Sequence, residues 1–157
     1  MRLKIYTDGA SRGNPGPAAI GIVIKDDQDR EVAAISQPIG VTTNNQAEYQ
    51  AVITALEVAA TLEPARIALY LDSELVVRQI NGEYKVRNAS LLPLFQRAIA
   101  LTKAAGNVTI AYIPREQNHE AHALAERALK PKSEYRNPKQ IRMTKIPNRG
   151  DSVVGIQ

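Results

Sequence analysis

At 157 residues the chain fits one domain able to bury its own core. Hydrophobic residues make up 44% and charged ones 23%, ordinary for a globular protein, and the lack of cysteine excludes a disulfide frame, a thiolate metal site and a cysteine nucleophile. The formal charge of +4 resides in the tail: residues 1–130 hold 14 basic against 14 acidic side chains, whereas 131–157 hold six against two, which marks off a domain over 1–130 and a basic C-terminal tail over 131–157.

The chain starts with MRLKIYTDG, which alternates like a strand, Leu3, Ile5 and Thr7 on one side and Lys4 and Tyr6 on the other, ending at Asp8. It lacks the apolar stretch of a signal peptide, and no run approaches membrane-spanning length, so a cytoplasmic monomer with no membrane partner is expected. GASRGNPGP, 9–17, is a tight loop. A second strand, AAIGIVIK, a charged turn at Asp26 to Arg30, and a third strand around Glu31 to Gln37 complete an antiparallel meander.

Over 41–61 the period changes to that of a helix, with Thr42, Thr43 and Asn44 as N-cap candidates and Val52, Ile53, Leu56, Ala59 and Ala60 on its apolar face. RIALYL, 66–71, reads as a buried central strand. Asp72–Ser73 caps a helix carrying Leu75, Val76, Gln79 and Ile80, which stops at Asn81–Gly82. A third helix runs from about Ser90 to Ala105, VTIAYI at 108–113 is a strand, and Asn118 to Leu129 is a final helix with Ala121, Leu124, Ala125 and Ala128 inward. From Pro131 no period is sustained, although VVGI at 153–156 could form a short strand. The order β-β-β-α-β-α-α-β-α implies a mixed sheet covered by helices.

Asp8 and Asp72 both end strands, and Glu48 lies in the first turns of the long helix. If the two strands are neighbours, the three carboxylates converge, and a hard divalent cation is what neutralises such a cluster. That donor set suits phosphodiester hydrolysis. Singly, each acid also reads as a cap or a surface charge, Asp72 above all.

Four ordered blocks decide between these readings. YTDGASRGNPGPAAIG at 6–21, TTNNQAEYQAVITAL at 42–56, LDSELVVRQI at 71–80 and IPREQNHEAHALAERAL at 113–129 resemble the motif blocks of the ribonuclease HI family, over about residues 1–130. The resemblance implies an α/β, ribonuclease H-like fold: a five-stranded mixed sheet flanked by helices on both faces. It implies hydrolysis of the RNA strand of an RNA–DNA hybrid with two Mg²⁺ or Mn²⁺, leaving 5′-phosphate ends, with double-stranded RNA as a further candidate substrate.

The family's first three acids fall on Asp8, Glu48 and Asp72, and its fourth, an Asp in the last helix, falls on His122. A neutral imidazole there offers a lone pair to metal or water but one negative charge fewer, which suits Mn²⁺ better than Mg²⁺. His119 is a second candidate proton carrier, although a solvated polar residue is the plainer account. Asn14, Asn44 and Asn45 fall where the family contacts the 2′-hydroxyl, with Gln46 and Glu74 at neighbouring positions; neutral amides both donate and accept, as a hydroxyl requires.

NGEYKVRNAS, 81–90, leaves no room for the basic extension of many relatives, so the chain resembles the shorter subgroup, keeping Tyr84, Lys85, Arg87 and Asn88 as a small patch. One Phe and no Trp argue against an aromatic stacking platform. The competing expectations are a catalytically feeble hybrid-binding module, if His122 is a dead substitution, and another nuclease on the same fold.

Overall fold

Residues 1–130 and 140–143 are described by the computed structural model. Strands β1 (Arg2–Ser11), β2 (Gly16–Asp26) and β3 (Glu31–Thr42) form the meander. Helix α1 (Asn44–Ala60), β4 (Arg66–Leu71), α2 (Glu74–Ile80), α3 (Leu92–Ala105), β5 (Val108–Tyr112) and α4 (His119–Ala128) follow, with a short 3₁₀ turn at Arg115–Gln117 before α4. The third strand runs five residues past its expected end, past a register shift in its pairing with β2 between Ala18 and Ala19.

The sheet order is β5-β4-β1-β2-β3-β6, so the five expected mixed strands are present and a sixth, β6 (Gln140–Met143), extends the edge. It pairs antiparallel with Ala33–Ser36 of β3, which places part of the 131–157 segment on the sheet. The strand considered at 153–156 lies outside the described residues.

β1 and β4 are parallel neighbours, in register from Arg2 opposite Arg66 to Thr7 opposite Leu71. Alternation then sends Leu3, Ile5 and Thr7 to one face and Lys4, Tyr6 and Asp8 to the other. Two glycines show which helix covers which face. A Cβ on Gly9 would meet the Ala47 backbone of α1 at 2.3 Å, and one on Gly21, paired with Asp8, would meet the Ala121 carbonyl of α4 at 2.0 Å. Helices α1 and α4 are thus pressed onto opposite faces at points where only glycine leaves room.

The larger core lies under α1. Its buried Val52, Ile53, Leu56 and Val58 share one core with Leu3, Ile5, Ile67 and Leu69, each full burial contributing about 1.5–3 kcal/mol. Ala60, expected on this face, is exposed at the helix end, and on α2 Leu75 is exposed while Val77 is buried. The Tyr49 hydroxyl donates to Gln79 Oε1 at 2.7 Å and ties α1 to α2.

Candidate active site

Thr43 begins α1. Its hydroxyl accepts from Gln46 N, and the Gln46 side chain accepts in turn from Thr43 N at 3.0 Å, a complete capping box. That start brings Glu48, one turn in and 3% exposed, over β1, where its Oε1 accepts from Gly9 N at 2.7 Å. Ser73, not Asp72, caps α2, accepting from Val76 N. Asp72 is therefore free of the capping role that would have explained it away.

The parallel pairing of β1 and β4 places Asp8 and Asp72 side by side at the strand ends. Ligand atoms of Asp8, Glu48 and Asp72 all lie within 4.8 Å of one another. Asp8 is 1% exposed and its Oδ1 is buried with no hydrogen-bond partner. Burial, then the charge of Asp72, pushes its carboxyl up from the usual 3.8 to about 6, against the hydrogen bond from His122. Burial, followed by the charges of Asp8 and Asp72, raises Glu48 well above its ordinary value. Three acids held this close, two of them buried and one oxygen unpaired, fit a hard divalent cation.

Sequence position put His122 opposite these acids, and its Nδ1 stands 2.9 Å from Asp8 Oδ2. Its Nε2 is 3.9 Å from Glu126 Oε1 at the cluster's outer side. His119 is exposed on the first turn of α4.

Two residues that sequence reasoning did not single out belong to the site. Asn118, 1% exposed at the N-cap of α4, makes no capping bond. Its Nδ2 instead donates to Thr7 O at 2.8 Å and to Asp72 Oδ2 at 3.0 Å, so it ties α4 to both acid-bearing strands. Asn before a helix normally signals a cap, which is why its sequence context hides this role. Arg115, in the 3₁₀ turn, acts electrostatically to lower the pKa of both Asp8 and Glu48.

The expected substrate contacts are distributed around the helix starts. Asn14 Oδ1 accepts from Asn44 N at 3.0 Å, joining the Gly-rich loop to α1 and leaving its amide N–H₂ to donate elsewhere. Asn45 is half-buried in the first turn of α1, and the Gln46 carbonyl oxygen is taken by the capping box. Glu74 is ion-paired with Arg78 at 2.8 Å, which also reaches Glu83 at 3.2 Å and lies 5.5 Å from the Tyr84 ring centroid. Arg78 therefore organises the patch, and its guanidinium already pairs the Glu74 carboxylate. Lys85, Arg87 and Asn88 are exposed, and Asn88 Oδ1 accepts from Ser90 N at 2.7 Å ahead of α3.

A family model described as Reverse transcriptase-like matches residues 6–128. The chain is 40% identical over 130 residues to Bifunctional protein Rv2228c of Mycobacterium tuberculosis, covering 82% of this chain but only 36% of that protein. Its structure resembles that of RNase H1 from the archaeon Halobacterium salinarum, with a TM-score of 0.80 at 43% identity, over 82% of this chain and 98% of the other. It also resembles LC11-RNase H1 in complex with an RNA/DNA hybrid, with a TM-score of 0.77 at 40% identity, over 80% and 94% of the two chains. No helix among the described residues is long and apolar enough to cross a membrane. Motif order, topology and these likenesses converge: the chain belongs to the reverse transcriptase-like family, in its ribonuclease H branch.

Proposed function

We propose that this chain is a metal-dependent endonuclease that hydrolyses the RNA strand of RNA–DNA hybrids and leaves 5′-phosphate ends. The observation that carries the reading is the cluster of Asp8, Glu48 and Asp72, with ligand atoms within 4.8 Å and a buried Asp8 oxygen lacking any partner. These three carboxylates would hold Mg²⁺ or Mn²⁺. When bound, divalent metal supplies an activated water and charge stabilisation for phosphodiester hydrolysis by the two-metal route.

The chain's own residues hold the cluster in shape. Gly9 N fixes the Glu48 carboxylate, and Asn118 fixes that of Asp72. His122 sets its Nδ1 2.9 Å from Asp8 Oδ2, and the tautomer with its proton on Nδ1 would donate to Asp8 and keep an Nε2 lone pair for water or metal. It thereby takes the place of the family's fourth acid at the cost of one negative charge.

Substrate would be read from the helix starts. Asn14, Asn44, Asn45 and Gln46 offer amides for the 2′-hydroxyl, which is what tells RNA from DNA. Tyr84, Lys85 and Arg87 contact the opposite strand, with Glu74 and Asn88 setting the patch around them. The hybrid complex of LC11-RNase H1 supports this choice of substrate. Function as a cytoplasmic monomer, and some activity on double-stranded RNA, complete the proposal.

The test is release of short labelled RNA from a matched hybrid, an RNA duplex and a DNA duplex, with Mg²⁺ and Mn²⁺ compared. Cleavage confined to RNA strands, strongest on the hybrid and dependent on metal, is expected. Tight hybrid binding without cleavage would reduce the chain to a binding module, and cleavage of the DNA duplex would assign it to another nuclease of this fold.

A further inference from the structure

Helix α4 lies against β1, β2 and β3, which leaves the same face of β4 and β5 without a helix among the described residues. By register this face carries Arg2 beside Arg66, Lys4 beside Ala68 and Tyr6 beside Tyr70, with Asp8 and Asp72 following at the strand ends. The stripe from Arg66 to Asp72 is roughly 20 Å long at about 3.3 Å per residue. One end is the carboxylate cluster; the other opens into a cleft of about 290 Å³ lined by Arg2, Lys4, Asp27, Arg66, Ala68 and Tyr70.

The middle of the stripe is aromatic, which the scarcity of Phe and Trp had argued against. The rings of Tyr6 and Tyr70 stack with centroids 5.1 Å apart and planes at 25°. The Lys25 ammonium lies 5.7 Å from the Tyr6 centroid. On the β5 side of Tyr70 the neighbours are Thr109 and Ala111, small and exposed, so β5 does not cover that ring. Lys4 is ion-paired with Asp29, but no hydrogen bond or ion pair among the described residues engages the guanidinium groups of Arg2 and Arg66, both exposed.

We propose that this stripe binds single-stranded nucleic acid, one base stacking on Tyr70 and the adjoining phosphates meeting Arg66 and Arg2. A planar π-face beside planar guanidinium groups matches the base and phosphate of a nucleotide. Two free guanidinium groups at the far end set the charge sign of the occupant, and the small floor at Ala68 and Ala111 gives a base room to lie flat. Only the choice of a strand over a free nucleotide rests on the hybrid-cleaving reading, because the stripe ends at the cluster proposed to hold a phosphodiester chain.

Binding of a labelled oligothymidylate of about eight nucleotides, within the range of single-strand sites, is measured by fluorescence anisotropy in EDTA over a salt series. The Arg2→Glu, Arg66→Glu double variant should bind at least tenfold more weakly, with the log–log salt slope reduced by about 1.4, or about 0.7 for each phosphate no longer neutralised. Tyr70→Leu, which keeps apolar bulk, should bind about tenfold more weakly, and Tyr70→Phe, which keeps the ring, as wild type does. Arg97→Glu on the opposite face, set against Arg66→Glu alone, controls for the change of two in net charge that each arginine substitution makes. Wild-type affinity in the double arginine variant, an equal loss in Arg97→Glu and Arg66→Glu, or equal binding by Tyr70→Leu and Tyr70→Phe would overturn the proposal. Competition by thymidine monophosphate as effective as that by the octamer would replace the strand with a free nucleotide and overturn it too. Cleavage of a short blunt hybrid, measured alongside, should be unchanged by the arginine substitutions; its absence in the wild type would defeat the hybrid reading and leave the oligonucleotide results standing.

Discussion

Asp8→Asn should abolish cleavage while making the metal-free protein more stable. Asp8 is 1% exposed, and burial together with the charge of Asp72 lifts its carboxyl from 3.8 to about 6. A shift of that size costs the metal-free fold about 3 kcal/mol at neutral pH. The amide removes the charge but weakens the contact with His122, which offsets about 1 kcal/mol. The net gain is about 2 kcal/mol, or roughly 6 °C in Tm for a domain of this size.

The pH dependence has a defined sign. An acid whose pKa is raised on folding destabilises the native state fully above its folded value and not at all below its unfolded one. The Tm advantage of the asparagine variant should thus be complete above about 6 and close as pH falls toward 3.8. Thermal melts in EDTA at several pH values measure it, and added Mg²⁺ should raise the Tm of the wild type more than that of the variant. Cleavage should fall about 100-fold or more, the scale on which loss of one preorganised electrostatic group acts. Identical melting of both proteins in EDTA at neutral pH, or brisk cleavage by the folded variant, would refute the reasoning.

Replacing His122 with Ala should lose activity, whereas His122→Asp should lower the Mg²⁺ concentration needed for half-maximal cleavage and lower the Tm in EDTA by adding a like charge beside Asp8; an alanine variant as fast as wild type makes the imidazole a bystander. Gly21→Ala would set a Cβ 2.0 Å from the Ala121 carbonyl and 2.6 Å from Ala125 N, forcing α4 away from β2. A stability loss of about 1–3 kcal/mol should come with a larger loss of activity, as Asn118 and His122 ride on that helix; full activity would show that α4 tolerates the shift. Truncation after Lys130 removes β6 from the Ala33–Ser36 edge and six basic residues with it. Hybrid binding should weaken, and its log–log salt slope should flatten by about 0.9 for each phosphate the tail neutralises; an unchanged slope would leave the tail a structural role alone.

Much of this protein was legible locally. The alternation of residues 2–7, the apolar run 66–71 and the helical period after Thr43 report burial, which side-chain chemistry dictates residue by residue. The four motif blocks placed Asp8, Glu48, Asp72 and His122 in one site before any geometry was available. What one dimension could not show depends on strand pairing. Asp72 and Ser73 compete for the cap on paper, and only the fold gives the cap to Ser73 and frees the acid. Asn118 reads as a cap because nothing nearby in sequence reveals Thr7 and Asp72, 111 and 46 residues away, as its partners. Tyr6 and Tyr70 look like isolated strand residues until the parallel register of β1 and β4 stacks them. β6 carries no period of its own, because four residues at a sheet edge take their conformation from the neighbouring strand's hydrogen bonds. Local pattern determined the elements and the acids; long-range pairing decided which polar groups were left free to act.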